Sequence, residues 1–224
     1  VECPNQNWIK LNRKLLREHL EGHKEECTDV IGIYPMLADE TCNFLVFDFD
    51  NHDKTKETNE DEGANPDSIW IDEVNTMRRI CQYNDVDVLI ERSRSGKGAH
   101  VWLFFEEAIP AALARRFGSA LLTKGAESVN QRNFKSYDRM LPAQDKMPDG
   151  GLGNLVALPL QGQALRKGNS AFIDADWKVI SDPWTLMKNV RKLSQQLVED
   201  KTVEWTTEGV LGFLADDMSG EKEE

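Results

Sequence analysis

Phe47-Asp48-Phe49-Asp50 ends an apolar run that begins at Phe44. In an extended strand, residues two apart leave the same face, so Asp48 and Asp50 project together. Two neighbouring carboxylates repel each other and are costly unless a cation lies between them. Mg²⁺ takes oxygen ligands and commonly uses one or two carboxylates plus phosphate oxygens. The pair reads either as a divalent-cation site or as a strand end running into a solvated acidic loop.

A second cluster is Ser93-Arg94-Ser95-Gly96-Lys97-Gly98-Ala99-His100. Its glycines let backbone N–H groups approach an anion. Arg94 and Lys97 add charge, Ser95 a hydroxyl and His100 a further donor. It reads as a phosphate-binding turn or as an ordinary hairpin turn with exposed charges. It is not a P-loop, because the four-residue gap and the following helix are missing. A third acid, Asp174, directly follows the apolar Phe172-Ile173. Two-metal phosphoryl transfer draws a carboxylate from elsewhere in the chain, and Asp174 is expected in that role. Asp176 competes for it, and a plain turn acid is the alternative. Trp102 is expected on the face opposite His100, packed in the core.

His19 and His23 are spaced to share one helix face, with Cys27 a turn further on. Together with Cys3 they read as a zinc set or as two surface histidines. The other cysteines, Cys42 and Cys81, form no dense framework, so reduced thiols are expected.

Around these residues the pattern predicts alternating elements. A helix is expected from Asn12 to about Cys27, with Leu11, Leu15, Leu16 and Leu20 on one face. Strands are expected at 30–34, 43–50, 86–91, 100–105, 154–160 and 170–174. Helices are expected at 68–83, opening on Ser68, at 110–124, opening on Pro110, and at 183–198. Residues 51–67 and 133–153 read as loops. The order, with two hairpins, predicts mixed α+β rather than a doubly wound sheet.

The net charge of −12 is unevenly spread. Residues 48–73 carry 10 acids against 2 lysines and residues 199–224 carry 9 against 2, which leaves the remainder near +3. A local basic channel is therefore compatible with the acidic total. Mean hydropathy is −0.54 and no apolar run reaches the roughly 20 residues of a membrane helix, so a cytoplasmic chain is expected, without a membrane partner. The start, Val1-Glu2-Cys3-Pro4-Asn5, has no signal-peptide character and suggests a piece of a longer protein.

The set in order resembles the archaeo-eukaryotic primase superfamily. The phrases that carry it include Ile31-Gly32-Ile33-Tyr34-Pro35, Phe47-Asp48-Phe49-Asp50 and Arg92-Ser93-Arg94-Ser95-Gly96-Lys97-Gly98-Ala99-His100-Val101-Trp102. Tyr137-Asp138-Arg139, Gly153-Asn154-Leu155-Val156-Ala157-Leu158-Pro159-Leu160-Gln161 and Phe172-Ile173-Asp174 complete it. The chain looks most like the primase-polymerase domains of TOTE conflict systems and CRISPR-associated primase-polymerases. The resemblance implies an α+β catalytic core with an RRM-like palm, preceded by an N-terminal α/β element. It implies template-directed nucleotidyl transfer from ribo- or deoxynucleoside triphosphates on single-stranded DNA. In that scheme Asp48, Asp50 and Asp174 hold two Mg²⁺ or Mn²⁺ ions. His100 contacts the nucleotide phosphates with Ser93, Ser95, Lys97 and Arg166. The family's second motif is often Ser-x-His, and Gly98 occupies the Ser position here, so Ser93 or Ser95 would supply the hydroxyl. Arg92, Arg94, Arg139 and Lys146 are candidates for template or phosphate contact.

Members often carry an upstream cysteine cluster ending in Cys-Pro-Asn, so Cys3 is a candidate remnant zinc ligand. The expected division is a helical segment at 1–29, a catalytic core at 30–198 and an acidic tail at 199–224. A fused helicase and nuclease, or CRISPR adaptation proteins, are the implied partners. Two alternatives stay open: a non-catalytic RRM-like nucleic-acid-binding domain, and a metal-dependent nuclease or phosphatase. The Asp-x-Asp pair also opens haloacid-dehalogenase phosphatases, but these need Thr or Val where this chain has His52.

Overall fold

The structure, a computed structural model, describes residues 9–24, 29–50, 66–128, 134–147, 151 and 153–207. Its elements run α1 (Arg13–Glu21), β1 (Gly32–Ile33), β2 (Thr41–Asp50), α2 (Pro66–Tyr83), β3 (Leu89–Arg92), β4 (Gly98–Pro110) and α3 (Ala111–Ser128). Then follow β5 (Tyr137–Leu141), β6 (Val156–Ala157), α4 (Gly162–Leu165), β7 (Ala171–Phe172), α5 (Pro183–Asn189) and α6 (Gln195–Thr207). Five strands form one antiparallel sheet in the order β5-β2-β4-β3-β7, and β1 pairs with β6 in a separate ribbon. The mixed α+β class is the one expected.

The strand β2 is apolar throughout its middle because both of its faces are covered there. Leu45, Phe47 and Phe49 face the helices, packing with Trp70, Val74 and Met77 of α2, Phe117 and Leu121 of α3, and Trp205 of α6. Val46 faces the other way, into a cluster with Leu89, Trp102, Leu141 and Phe172 and with Val156 and Leu160 from the ribbon side. Each fully buried side chain of this kind contributes roughly 1.5–3 kcal/mol. The cover on the second face thins toward the end of β2, where Asp48 is only half-buried and Asp50 is exposed.

Local signals set most boundaries. Asn12 caps α1 by accepting the N–H groups of Lys14 and Leu15. Gly22 ends it in the left-handed region at φ +59°, donating its N–H to Glu18 O. A Cβ at Gly22 would lie 2.2 Å from the backbone nitrogen of Gln163, so α1 meets α4 there. The expected helix to Cys27 therefore stops early, and Leu11 and Leu20 are exposed while His19 is buried. The second helix opens on Pro66 rather than Ser68.

Two expectations fail. The stretch read as a loop at 133–153 contains β5, an edge strand whose turn-forming flanks hid it. The helix expected at 183–198 is two helices. Between them Leu193 donates its N–H to Phe104 O and accepts that of Glu106, tying this segment to β4. Ser194 then starts α6, accepting the Leu197 N–H at 3.2 Å. That helix crosses the expected tail boundary at 199, because Val198, Thr202 and Trp205 repeat at helical spacing and are buried. Trp205 stacks on Phe117 at 5.3 Å. No helix among the described residues is long and apolar enough to cross a membrane.

Candidate active site

Strand register builds the site. Asp48 of β2 pairs with His100 of β4 on one side and Arg139 of β5 on the other. His100 pairs in turn with Glu91 of β3, and Glu91 with Phe172 of β7. One row therefore crosses the whole sheet: Arg139, Asp48, His100, Glu91, Phe172. Asp50 lies two residues on from Asp48, opposite Gly98. A Cβ at Gly98 would lie 2.2 Å from Phe49 O, so only glycine lets the turn close onto β2 here.

His100 sits between two acids. Its Nε2 is 3.5 Å from Asp48 Oδ1 and its Nδ1 is 3.0 Å from Glu91 Oε2. Burial pulls the imidazole toward its uncharged form, but the Glu91 hydrogen bond and the charges of Glu91, Asp48 and Asp50 together raise its pKa. Asp48 is raised as well. Burial is the main cause, and the charges of Asp138 and Asp50 add to it against the pull of His100 and Arg139.

Asp138 enters at an irregularity. The β2–β5 register shifts between Asp48 and Phe49, which face Arg139 and Tyr137, so Asp138 is the extra residue of a bulge. Bulges re-aim side chains and are frequent beside active sites. Asp138 Oδ2 accepts from Arg139 Nε at 2.7 Å. From the helix side, the buried Glu73 secures the start of this strand. Its carboxylate accepts the N–H groups of Lys135 and Ser136 at 2.8 and 2.9 Å, and the Ser136 hydroxyl. Ser136 O in turn accepts the Asp50 N–H.

The expected third acid lies elsewhere. Asp174 follows β7, which is separated from β2 by β4 and β3, roughly 14 Å at the usual strand spacing. Asp174 Oδ1 accepts the N–H groups of Asp176 and Lys178, both at 2.9 Å. Its carboxylate is thus engaged by its own turn, and Asp176 is exposed beside it. Trp102 is also not where it was expected. It shares His100's face, as residues two apart must, and its Nε1–H donates to the same Glu91 oxygen at 3.0 Å. It is nonetheless buried.

The turn residues divide. Ser93 and Ser95 hydroxyls lie 3.0 Å apart, and Ser95 Oγ accepts the Lys97 N–H at 3.2 Å. Arg94, Ser95, Gln161, Gln163 and Lys167 line a cleft of about 200 Å³ beside the turn. Arg94, Lys97 and Lys167 are exposed, and their side chains make no ion pair or hydrogen bond with other described residues. Lys146 is exposed after β5. Two other arginines are committed to the fold. Arg92 donates to Gly168 O and Trp177 O at 3.0 and 2.7 Å. Arg166 donates to Glu21 O and Gly22 O at 2.9 and 2.6 Å, closing the end of α1. Each guanidinium is thus bonded to two backbone carbonyls. A separate cleft of about 620 Å³, lined by Arg78, Gln82, Asp85 and Asn189 among others, contains none of the site residues.

His19 is not free for zinc. Its Nδ1 accepts the Ile31 N–H at 3.1 Å and its Nε2 donates to Pro159 O at 3.0 Å. His23 lies beyond the end of α1 and pairs with Glu21 at 3.2 Å. Cys3 and Cys27 lie outside the described residues.

The phrases that carry the resemblance thus fall on one sheet face and on the segments supporting it. The family described as the TOTE conflict system archaeo-eukaryotic primase domain matches residues 1–201. The chain belongs to that family. No curated protein matches it. Family membership gives the Asp48 row its context, a primase-like domain. The phrase ending in Gln161 has a physical reason in the fold. Gln161 is fully buried, caps α4 through Ala164 N–H at 2.9 Å, and donates to Asp29 at 3.0 Å.

Two residues escaped the sequence reading. Asp138 was visible within Tyr137-Asp138-Arg139, but nothing local tells which strand that phrase joins. Glu91 ends an apolar strand, the same signal that marked Asp48, and was read only as part of the strand.

Among the described residues no three His, Cys, Asp or Glu side chains form a ready-made metal set. Asp48, Asp50 and Asp138 nonetheless supply hard oxygen donors, and burial together with the charges of Asp138 and Asp50 raises the Asp48 pKa. This donor chemistry fits Mg²⁺ or Mn²⁺.

Proposed function

We propose that the domain is a nucleotidyltransferase that makes and extends primers on single-stranded DNA from nucleoside triphosphates. The observation that supports it is the row Arg139–Asp48–His100 beside Asp50 and Asp138, at the open end of the sheet. In this reading Asp48, Asp50 and Asp138 hold two Mg²⁺ or Mn²⁺ ions, with Asp138 in the place the sequence suggested for Asp174. Bound there, the ions would favour ionisation of the attacking hydroxyl and neutralise charge on the triphosphate.

The chain's own groups do the rest. His100 presents Nε2 toward phosphate oxygens, and Lys97 on the adjoining turn adds positive charge. Ser93 and Ser95 hold that turn's shape and can supply a hydroxyl. Arg94 and Lys167 in the neighbouring cleft draw in a nucleic-acid backbone, and Arg139 stands on the opposite side of the acids. The primer 3′-oxygen bonds to the α-phosphorus, the α–β phosphoanhydride breaks, and pyrophosphate leaves. The hydroxyl proton passes to water. A helicase and nuclease fused in the same system would supply the single strand; CRISPR adaptation proteins are the other partners the resemblance implies.

Incubation with single-stranded DNA, labelled nucleotides and Mn²⁺ tests the reading. A primer-length product that disappears in Asp48→Ala is the expected result. Release of nucleotide or phosphate instead would identify a nuclease or phosphatase. Tight DNA binding with no product under any nucleotide and metal would identify a binding module.

A further inference from the structure

Glu91 is 2% exposed, a carboxylate set among Leu89, Trp102 and Phe172 neighbours where an apolar side chain would pack without cost. It keeps three side-chain donors. His100 Nδ1–H and Trp102 Nε1–H both reach Oε2 at 3.0 Å, and the Ser170 hydroxyl reaches Oε1 at 3.3 Å. A carboxylate only accepts, so His100 carries a proton on Nδ1 toward Glu91, and a second proton on Nε2 lets the ring donate to a phosphate oxygen. Nε2 is left pointing along the row toward Asp48, beside the open end.

The carboxylate is itself braced. Ser170 Oγ also accepts the Gln161 N–H at 3.3 Å, and Gln161 is tied to Asp29 and to α4. Trp102 closes the other side, its ring edge-on to His100 at 6.2 Å. Glu91 therefore has fixed support from two directions and one functional contact.

We propose that Glu91 is the positioning residue of the site: it fixes the His100 ring so that its Nε2–H is delivered to a phosphate oxygen of the bound nucleoside triphosphate. This rests on the nucleotide-binding reading above. Acting only through His100, it serves nucleotide binding and has no separate contact with substrate. Uniform loss of such a contact raises KM and leaves kcat nearly unchanged.

The test is a cycle of Glu91→Gln, His100→Ala and the double variant, measured by nucleotide Kd with Mn²⁺ and by steady-state primer extension. Glu91→Gln raises nucleotide Kd and KM about 10-fold, the scale of one charge-assisted hydrogen bond, with kcat within about threefold. Adding it to His100→Ala changes nothing further, within about twofold. A folded Glu91→Gln with wild-type Kd overturns the proposal, as does a double variant as weak as the product of the singles.

Because Glu91 is buried, a second measurement needs no variant at that position. Ring-nitrogen spectra of the wild-type protein, with His100 assigned by its loss in His100→Ala, show a protonated, hydrogen-bonded Nδ1. An Nδ1 without a proton overturns the proposal even if Glu91→Gln does not fold. A wild-type chain that makes no primer but shows this coupling in nucleotide Kd would sink the polymerase reading and leave the role of Glu91 standing.

Discussion

The two edge strands of the sheet each have an acid in or beside them, and they use it differently. On the β7 flank, Asp174 turns its carboxylate onto its own loop, accepting two backbone N–H groups. On the β5 flank, Asp138 stands in a bulge beside β2, close enough for its charge to push the Asp48 pKa up. What differs is the neighbour, since β5 lies against β2 and β7 does not. An acid becomes part of a site through the strand it is paired with.

The largest effect should come from the acids themselves. Primer extension is expected to fall at least about 100-fold in Asp138→Ala, the scale of a removed group that stabilises transition-state charge. Asp174→Ala is expected to keep activity within about threefold and to lose roughly 1 kcal/mol of stability with its two turn hydrogen bonds. Equal loss of activity in both, with unchanged melting, would break the comparison between the flanks.

A smaller contrast separates the cations. Arg94→Ala with Lys167→Ala should weaken single-stranded DNA binding about 10-fold and flatten its salt dependence by one to two units of slope. Arg92→Ala should leave that slope alone and destabilise the fold by roughly 1–3 kcal/mol, because it deprives two loop carbonyls of their donor. A salt slope that responds to Arg92 would show that commitment to the loop is not exclusive.

The smallest expected effect is on stability at the centre. Asp48 has a folded-state pKa above its unfolded one, so the fold favours its protonated form. That contribution is present at low pH and is lost as pH rises through the raised value. Asp48→Asn should therefore stabilise the metal-free protein at neutral pH by about 1 kcal/mol and flatten the pH dependence. Mn²⁺ should raise the melting temperature of the wild type and much less that of Asp48→Asn. A destabilised Asp48→Asn at neutral pH would mean that the pull of His100 and Arg139 outweighs burial and the repulsion of Asp138 and Asp50.

Much of the fold was readable because periodicity and caps act locally. Asn12, the apolar run to Asp50 and the turn from Ser93 to Gly98 all lie where pattern placed them. The misreadings have a common cause in contacts with distant residues. The strand β5 is short, polar at its start and held by Glu73, 62 and 63 residues earlier in the chain. The break between α5 and α6 comes from Leu193 bonding to β4. Trp102 is the local exception: residues two apart in a strand share a face, so it lies with His100.

By itself the sequence determined that Asp48 and Asp50 share a face, that His100 follows a glycine turn, and which family the ordered motifs resemble. The first two follow from backbone period and residue chemistry within a few positions, and the family resemblance rests on the motifs and their order. Only the tertiary structure decided that Asp138 rather than Asp174 stands beside the pair, that Arg92 and Arg166 bond loop and helix carbonyls, and that Glu91 backs His100. Strand order and register are set by packing across the sheet, and no residue's immediate neighbours in the chain encode them.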